Sequence, residues 1–232
     1  MVVTLEDGSE QYVTGGGIAV TRSKAPTPYA GAIETYVDAL NSRRGAVFSS
    51  NYEYPGRYTR WDTAIANPPV VITARGRDVV IEALNERGDI ILPWIKAALR
   101  QTADISVGSI AGRRLDVKVD EPSRAFTEEE RSRVPSVFTV LRSIVALFFS
   151  EADASLGLYG AFGYDLCFQF DPIKFSLKRP DDQRDLVLFL PDEVLVVDHY
   201  SAKAWTEQFD YELDGKSTKG LPRETEDVPF KH

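Results

Sequence analysis

The 232-residue chain carries 27 basic and 35 acidic side chains, a formal net charge of −8, and is 43% hydrophobic and 11% aromatic. That apolar content suffices for one large or two small cores, whereas the acidic balance and the lack of a long basic run argue against nucleic acid or an anionic membrane surface as partner. Cys167 is the only cysteine, so no internal disulfide can form and a reducing, cytoplasmic setting is expected.

The opening residues, Met1 to Gly8, lack the basic start and extended apolar core of a signal peptide. The longest apolar run, Ile144 to Phe149, is far too short to span a bilayer. A soluble protein is expected. Gln11 to Val13 and Ile18 to Arg22 read as short strands on either side of Gly15, Gly16 and Gly17. No Gly-Lys-Ser/Thr follows the glycines and no helix opens there, so they read as a hairpin turn rather than a phosphate loop. Tyr29, Ile33, Tyr36, Val37 and Leu40 then recur at helical spacing and predict a helix from Pro28 to Ser42, capped by Thr27. Arg43 and Arg44 would complement its C-terminal dipole rather than form an anion site, and Gly45 would end it.

The stretch from Gly45 to Asp62 is the most informative. Val47 and Phe48 are β-prone, Ser49, Ser50 and Asn51 set three short polar side chains where a strand would end, and Pro55-Gly56 signals a turn. Arg57 to Asp62 alternates polar and aromatic residues as a second strand would, with Trp61 expected in the core. Hydroxyls, an amide, a guanidinium and tyrosines gathered at one hairpin end suit a small zwitterion. A polar hairpin end without a ligand satisfies the same pattern.

Asn67-Pro68-Pro69 marks a boundary. Val70 to Ala74 and Val79 to Leu84 read as a hairpin around Arg75 to Asp78, and Pro93 to Arg100 reads as a helix. Ile105 to Ile110 and Leu115 to Val119 are ambiguous short apolar pieces. Residues 120–135 look like a charged connection with a helical turn capped by Thr127 and Glu130. Pro135 to Phe149 is the clearest helix, its stripe made by Val137, Val140, Leu141, Ile144, Val145 and Phe148. Leu156 to Phe162 alternates glycine with bulky residues, which lets another backbone or a ligand come close. Ile173 to Lys178, Asp185 to Leu190, Glu193 to Asp198 and Lys203 to Leu213 are further strands. From Gly215 the composition turns to that of a linker. Strands outnumber helices and hairpins outnumber βαβ units, so the class is α+β: antiparallel, sandwich-like sheets with helices packed outside.

Catalytic and metal constellations are sparse. His199 and His232 have no second histidine or cysteine at ligand spacing. Asp181, Asp182, Asp185 and Asp192 read as solvated turn carboxylates, no nucleophile elbow occurs, and Cys167 reads as a small buried hydrophobe.

Val47-Phe48-Ser49-Ser50 followed by Arg57-Tyr58-Thr59 resembles the Leu-Leu-Glu-Ser motif and Arg-Tyr-Ser-type strand of anthranilate synthase component I, in particular the type fused to its glutaminase. Ser49 stands where that family has glutamate, and the spacing is shorter. Gly160 to Asp165 resembles the Gly-Tyr-x-x-Tyr-Asp segment of chorismate-using synthases, with Ala161 in place of the usual aromatic. The resemblance implies that residues 1–214 form the N-terminal regulatory region of such an enzyme. Residues 215–232 would then lead toward a missing C-terminal chorismate-binding domain. It further implies a tryptophan feedback site made by Val47, Ser49, Ser50, Asn51, Arg57, Tyr58 and Thr59, with Gly163, Tyr164 and Asp165 as pocket support. The catalytic and magnesium-binding residues would lie in the missing part, so none are assigned here. The whole lyase would convert chorismate and glutamine to anthranilate and pyruvate, with the synthase and glutaminase domains as partners, and the resemblance admits a homo-oligomer. A sister enzyme such as aminodeoxychorismate synthase, or a stand-alone non-enzymatic binding domain, are the alternatives.

Overall fold

The computed structural model describes residues 2–50, 60–121, 134–170 and 176–228. The chain begins with β1 (Val3–Thr4), β2 (Glu10–Val13), β3 (Ala19–Thr27), α1 (Ala32–Ala39), β4 (Gly45–Phe48) and β5 (Trp61–Ala66). It continues with β6 (Val70–Arg75), β7 (Asp78–Ala83), α2 (Glu86–Leu99), β8 (Ile105–Ala111), β9 (Arg114–Val119) and α3 (Val137–Phe148). β10 (Tyr159–Phe162) leads into a 3-10 helix (Tyr164–Gln169), after which come β11 (Leu186–Leu190), β12 (Glu193–Asp198), β13 (Lys203–Leu213) and β14 (Lys216–Ser217).

Two antiparallel sheets result, the α+β architecture expected. The first runs β1-β2-β3-β13-β12-β5-β4, with β14 on the end of β13, and the second runs β10-β11-β6-β7-β9-β8. Alternation drives both. Val70, Ile72 and Ala74 of β6, Val79 and Ile81 of β7, and Leu115 and Val117 of β9 are all buried, as a period of two requires of one covered face. They share a single apolar cluster with Ile91, Ile95 and Leu99 of α2 and Val140 and Ile144 of α3. Tyr12, Val20, Val194, Phe209 and Tyr211 of the first sheet join the same cluster, so both sheets close on one core.

The triple glycine makes the hairpin turn expected of it and also finishes α3. Gly15 and Gly16 donate their backbone N–H groups to the carbonyls of Phe149 (2.7 Å) and Leu147 (3.2 Å), and the Thr14 hydroxyl donates to Leu147 as well, at 2.8 Å. These donors meet carbonyls that a helix end leaves unpaired. A Cβ at Gly16 would stand 2.4 Å from a Leu147 methyl, so the approach needs glycine.

Several elements depart from their predicted bounds. Thr27 does not cap α1: it belongs to β3, opposite Ala204, and the helix starts after Gly31, whose φ is 77°. α2 begins at Glu86 rather than at Pro93, because the Asn85 side chain accepts the Gly88 N–H at 3.0 Å and fixes the first turn there; Pro93 lies inside the helix. Trp61, expected in the core, is 47% exposed and packs against the Arg60 guanidinium and the Trp205 ring. Cys167, expected buried, is exposed on the 3-10 helix. The charged connection and the strand expected at Ile173 fall largely outside the described residues, and Ser176 to Lys178 carry no strand.

Beyond β14 the chain lies on the body. Thr218 is buried, the Thr225 hydroxyl bonds the Asn67 amide oxygen at 2.9 Å, and the Val228 N–H reaches the Ser42 carbonyl at 2.8 Å. Arg87 holds this segment from inside. Its guanidinium is fully buried and donates to Asp192, to Asp210 at 2.8 Å, and to the carbonyls of Phe209 and Thr218 at 2.7 Å each. Burial pushes the Asp192 carboxyl up to about 6, against the opposing pull of Arg87 and Arg223. Among the described residues no helix is long and apolar enough to cross a membrane.

Candidate functional site

The tip of β4 is built on a row of directly opposed residues. Phe48 faces Thr63 on β5, Thr63 faces Val196 on β12, Val196 faces Trp205 on β13, and Trp205 faces Pro26 on β3. Directly opposed residues of antiparallel strands share a face, so five side chains from five strands line one side of the sheet. Phe48 is 38% exposed, and Thr63, Val196 and Trp205 are half-buried. Deeper in the sheet the same face is sealed by Phe209 and Tyr211. Here it is open.

The second sheet reaches this row at Tyr159. The Phe48 ring lies 6.1 Å from the ring of Tyr159, the first residue of β10. The Tyr159 hydroxyl donates to the Ser155 carbonyl at 2.5 Å. Burial, reinforced by the carboxylates of Glu207 and Asp153, pushes this phenol up to about 12. It stays a neutral donor across the physiological range.

Beneath the row is a set of ion pairs. Glu207 of β13 is buried, pairs with the Lys24 ammonium at 2.9 Å, and accepts the Trp205 indole N–H at 2.9 Å. Burial alone would raise its carboxyl, but bonds from Lys24, Trp205 and Ser155 outweigh that and hold it below its ordinary value. Nearby, Asp153 is buried and accepts from the Tyr12 hydroxyl (2.8 Å), the Arg22 guanidinium (2.7 Å) and the backbone N–H groups of Ser155 and Leu156. An open patch of aromatic and aliphatic groups over fixed charges can receive a small molecule with an apolar body and polar ends.

The predicted residues divide as follows. Val47 lies opposite Ala64 and packs with Leu195, Val197 and Ala204, on the α1 side of the sheet rather than beside Phe48. Ser49 and Ser50 follow β4 directly and are exposed. Asn51, Arg57, Tyr58 and Thr59 lie outside the described residues. Gly163, Tyr164 and Asp165 follow the end of β10 away from Phe48. The Gly163 N–H bonds the Asp185 carbonyl, Tyr164 is 84% exposed, and Asp165 accepts from Gln183 at 2.6 Å and pairs with Arg179 at 3.2 Å. Asp165 therefore ties down the turn before β11, while contact with the β4 tip falls to Tyr159.

Sequence reasoning missed Lys24, Glu207 and Tyr159. Glu207 had a signal: it stands in phase with Trp205, Phe209 and Tyr211, so a carboxylate occupies an inward position. Among the described residues no group of three His, Cys, Asp or Glu side chains is arranged to hold a metal ion.

No family model matches the chain. It is 42% identical over 221 residues, 95% of its length, to an anthranilate synthase of Azospirillum brasilense, of which it spans 30%. It is 26% identical over 192 residues to anthranilate synthase component 1 of Serratia marcescens, covering 80% of this chain and 36% of that protein. The Haemophilus influenzae component 1 is 24% identical over 194 residues, covering 83% of this chain and 37% of that protein. The chain thus spans about a third of the length of the curated relatives it matches, and its resemblance to the anthranilate synthases holds along nearly all of its own length.

Proposed function

We propose that this relative of the anthranilate synthases is the regulatory region of such an enzyme and that the tip of β4 is one wall of its tryptophan site. The observation that carries the reading is the contact of Phe48, in the first motif, with Tyr159, the residue just before the second, their rings 6.1 Å apart, in a chain similar along 95% of its length to an anthranilate synthase. Ser50 and Asn51 would hold the ammonium and carboxylate ends of the amino acid. Arg57, Tyr58 and Thr59 would close it from the returning segment, and the open row of Phe48, Thr63, Val196 and Trp205 would receive the indole. Catalysis, magnesium and the glutaminase are assigned to the remainder of a longer cytoplasmic lyase that makes anthranilate from chorismate and glutamine.

Feedback requires tryptophan to bind one conformation of the enzyme better than another, since equal affinity shifts nothing. A tenfold difference corresponds to about 1.4 kcal/mol, which a few hydrogen bonds at the strand tip can supply. The test is Ser50→Phe in the full enzyme. Turnover is expected to persist while inhibition by tryptophan is lost; inhibition retained at the wild-type tryptophan concentration would defeat the reading. Product analysis distinguishes anthranilate from aminodeoxychorismate.

A further inference from the structure

A separate concavity opens at the other end of β4, at Gly45. It lies between the α1–β4 corner and one face of the second sheet, and its volume is about 620 Å³, within the size range of small-molecule sites. Its floor is a row of directly opposed residues. Phe189 of β11 faces Val71 of β6, Val71 faces Glu82 of β7, and Glu82 faces Arg114 of β9. Val71 and Phe189 are buried, so the floor is apolar at one end and charged at the other.

The walls are cationic in an acidic protein. Arg43, Arg44, Arg114 and Arg184 line the space, with Glu82 the one carboxylate among the described lining residues. Two of the arginines are engaged. Arg43 pairs with Asp227 at 3.1 Å and donates to the Thr225 carbonyl, so it does not serve the end of α1 as expected. Arg114 pairs with Asp116 at 2.7 Å. The guanidiniums of Arg44 and Arg184, by contrast, have no ion pair or hydrogen bond with any described residue.

We propose that this cavity binds a small organic carboxylate, its carboxylate forked by Arg44 and Arg184 and its apolar body laid over Val71 and Phe189. Guanidinium matches carboxylate geometry bidentately. The buried apolar floor discriminates against inorganic anions, which gain nothing from it. The site stands apart from the tip of β4, so it neither needs nor supports the reading given for that tip.

Benzoate is the probe. The 232-residue chain is titrated by calorimetry, and the methyl resonances of Val71 and Val187 are followed by NMR. Saturable binding is expected, with both methyl signals shifting. Arg44→Gln and Arg184→Gln should each weaken it by roughly tenfold or more, and Arg60→Gln, at the opposite end of β5 from the residue that pairs with Gly45, should leave it unchanged. Circular dichroism checks that each variant folds, and Arg44→Lys, which keeps the charge and loses the fork, should bind at intermediate strength. The proposal is overturned if the methyls do not move at millimolar benzoate, or if the arginine variants bind like wild type. It is equally overturned if phosphate binds as tightly as benzoate. Binding of an acidic peptide without binding of benzoate would overturn it in favour of a protein-docking surface.

Discussion

The phenyl ring of Phe48, last residue of β4, packs against the phenol of Tyr159, first residue of β10, with centroids 6.1 Å apart and planes tilted by 50°. Among the described residues β4 ends one sheet and β10 ends the other, so this contact joins the two outermost strands. A double-mutant cycle with Phe48→Leu and Tyr159→Leu, read by urea denaturation, is expected to give a coupling of about 0.5–1.5 kcal/mol. Strict additivity would mean that the two edges are held together elsewhere.

Gly160 sets how closely β10 lies on β11. A Cβ there would stand 2.0 Å from the Val187 carbonyl oxygen, and backbone yields less readily than a side-chain tip. Gly160→Ala is expected to destabilise the protein by about 1–3 kcal/mol. It should also raise amide exchange at Leu186 to Phe189 selectively. Unchanged exchange in β11 would count against the tight pairing.

Arg87 is the largest fully buried charge, and its partners come from three stretches of the chain. Arg87→Met fills most of the volume but takes from Asp192 its nearest charge partner, leaving Arg223 at 3.7 Å, and removes a donor from two carbonyls. The expected loss is roughly 3–5 kcal/mol in chemical denaturation at neutral pH. It should be smaller in mild acid, where Asp192, already raised to about 6, takes up a proton. A loss independent of pH would place the cost in packing instead.

Glu207 gives the opposite pH signature. Its carboxyl is lowered in the folded state from an ordinary value of 4.5. The stabilisation it brings is therefore complete above the unfolded value and disappears as pH falls through the folded one. Glu207→Gln should be less stable than wild type at neutral pH, and the gap should close as pH drops through the acid range. Denaturation curves at stepped pH measure this, and a gap that widened in acid would reverse the assignment.

The sheets were more legible than the site. β12 and β13 match their predicted ranges at both ends, because β12 is a short β-prone apolar run bounded by charges and β13 carries aromatics at every second position over much of its length. β8 and β9 stayed ambiguous because solvent covers much of β8 and the alternate residues of β9, leaving each run short of apolar signal. The start of α2 was hidden by Pro93, which reads locally as a first-turn residue, while the effective signal was the Asn85 cap more than a turn earlier. Trp61 misled because aromatic content predicts burial only where something covers the strand. At the site, Ser49 and Ser50 follow the end of β4 as the pattern required. Lys24, Glu207 and Tyr159 come from distant parts of the chain, and only the pairing of β3 with β13 and the crossing of β10 bring them together.

The fastening of residues 216–228 has a mechanical consequence. Arg87 grips the carbonyl of Thr218, Asn67 and Arg43 hold Thr225, and Ser42 holds Val228. Tension applied at Val228 would thus load several parallel anchors in shear, instead of peeling β14 from β13 one bond at a time. A twist at this end is delivered through Arg87 into the first turn of α2, and from there to the packed interior that both sheets share.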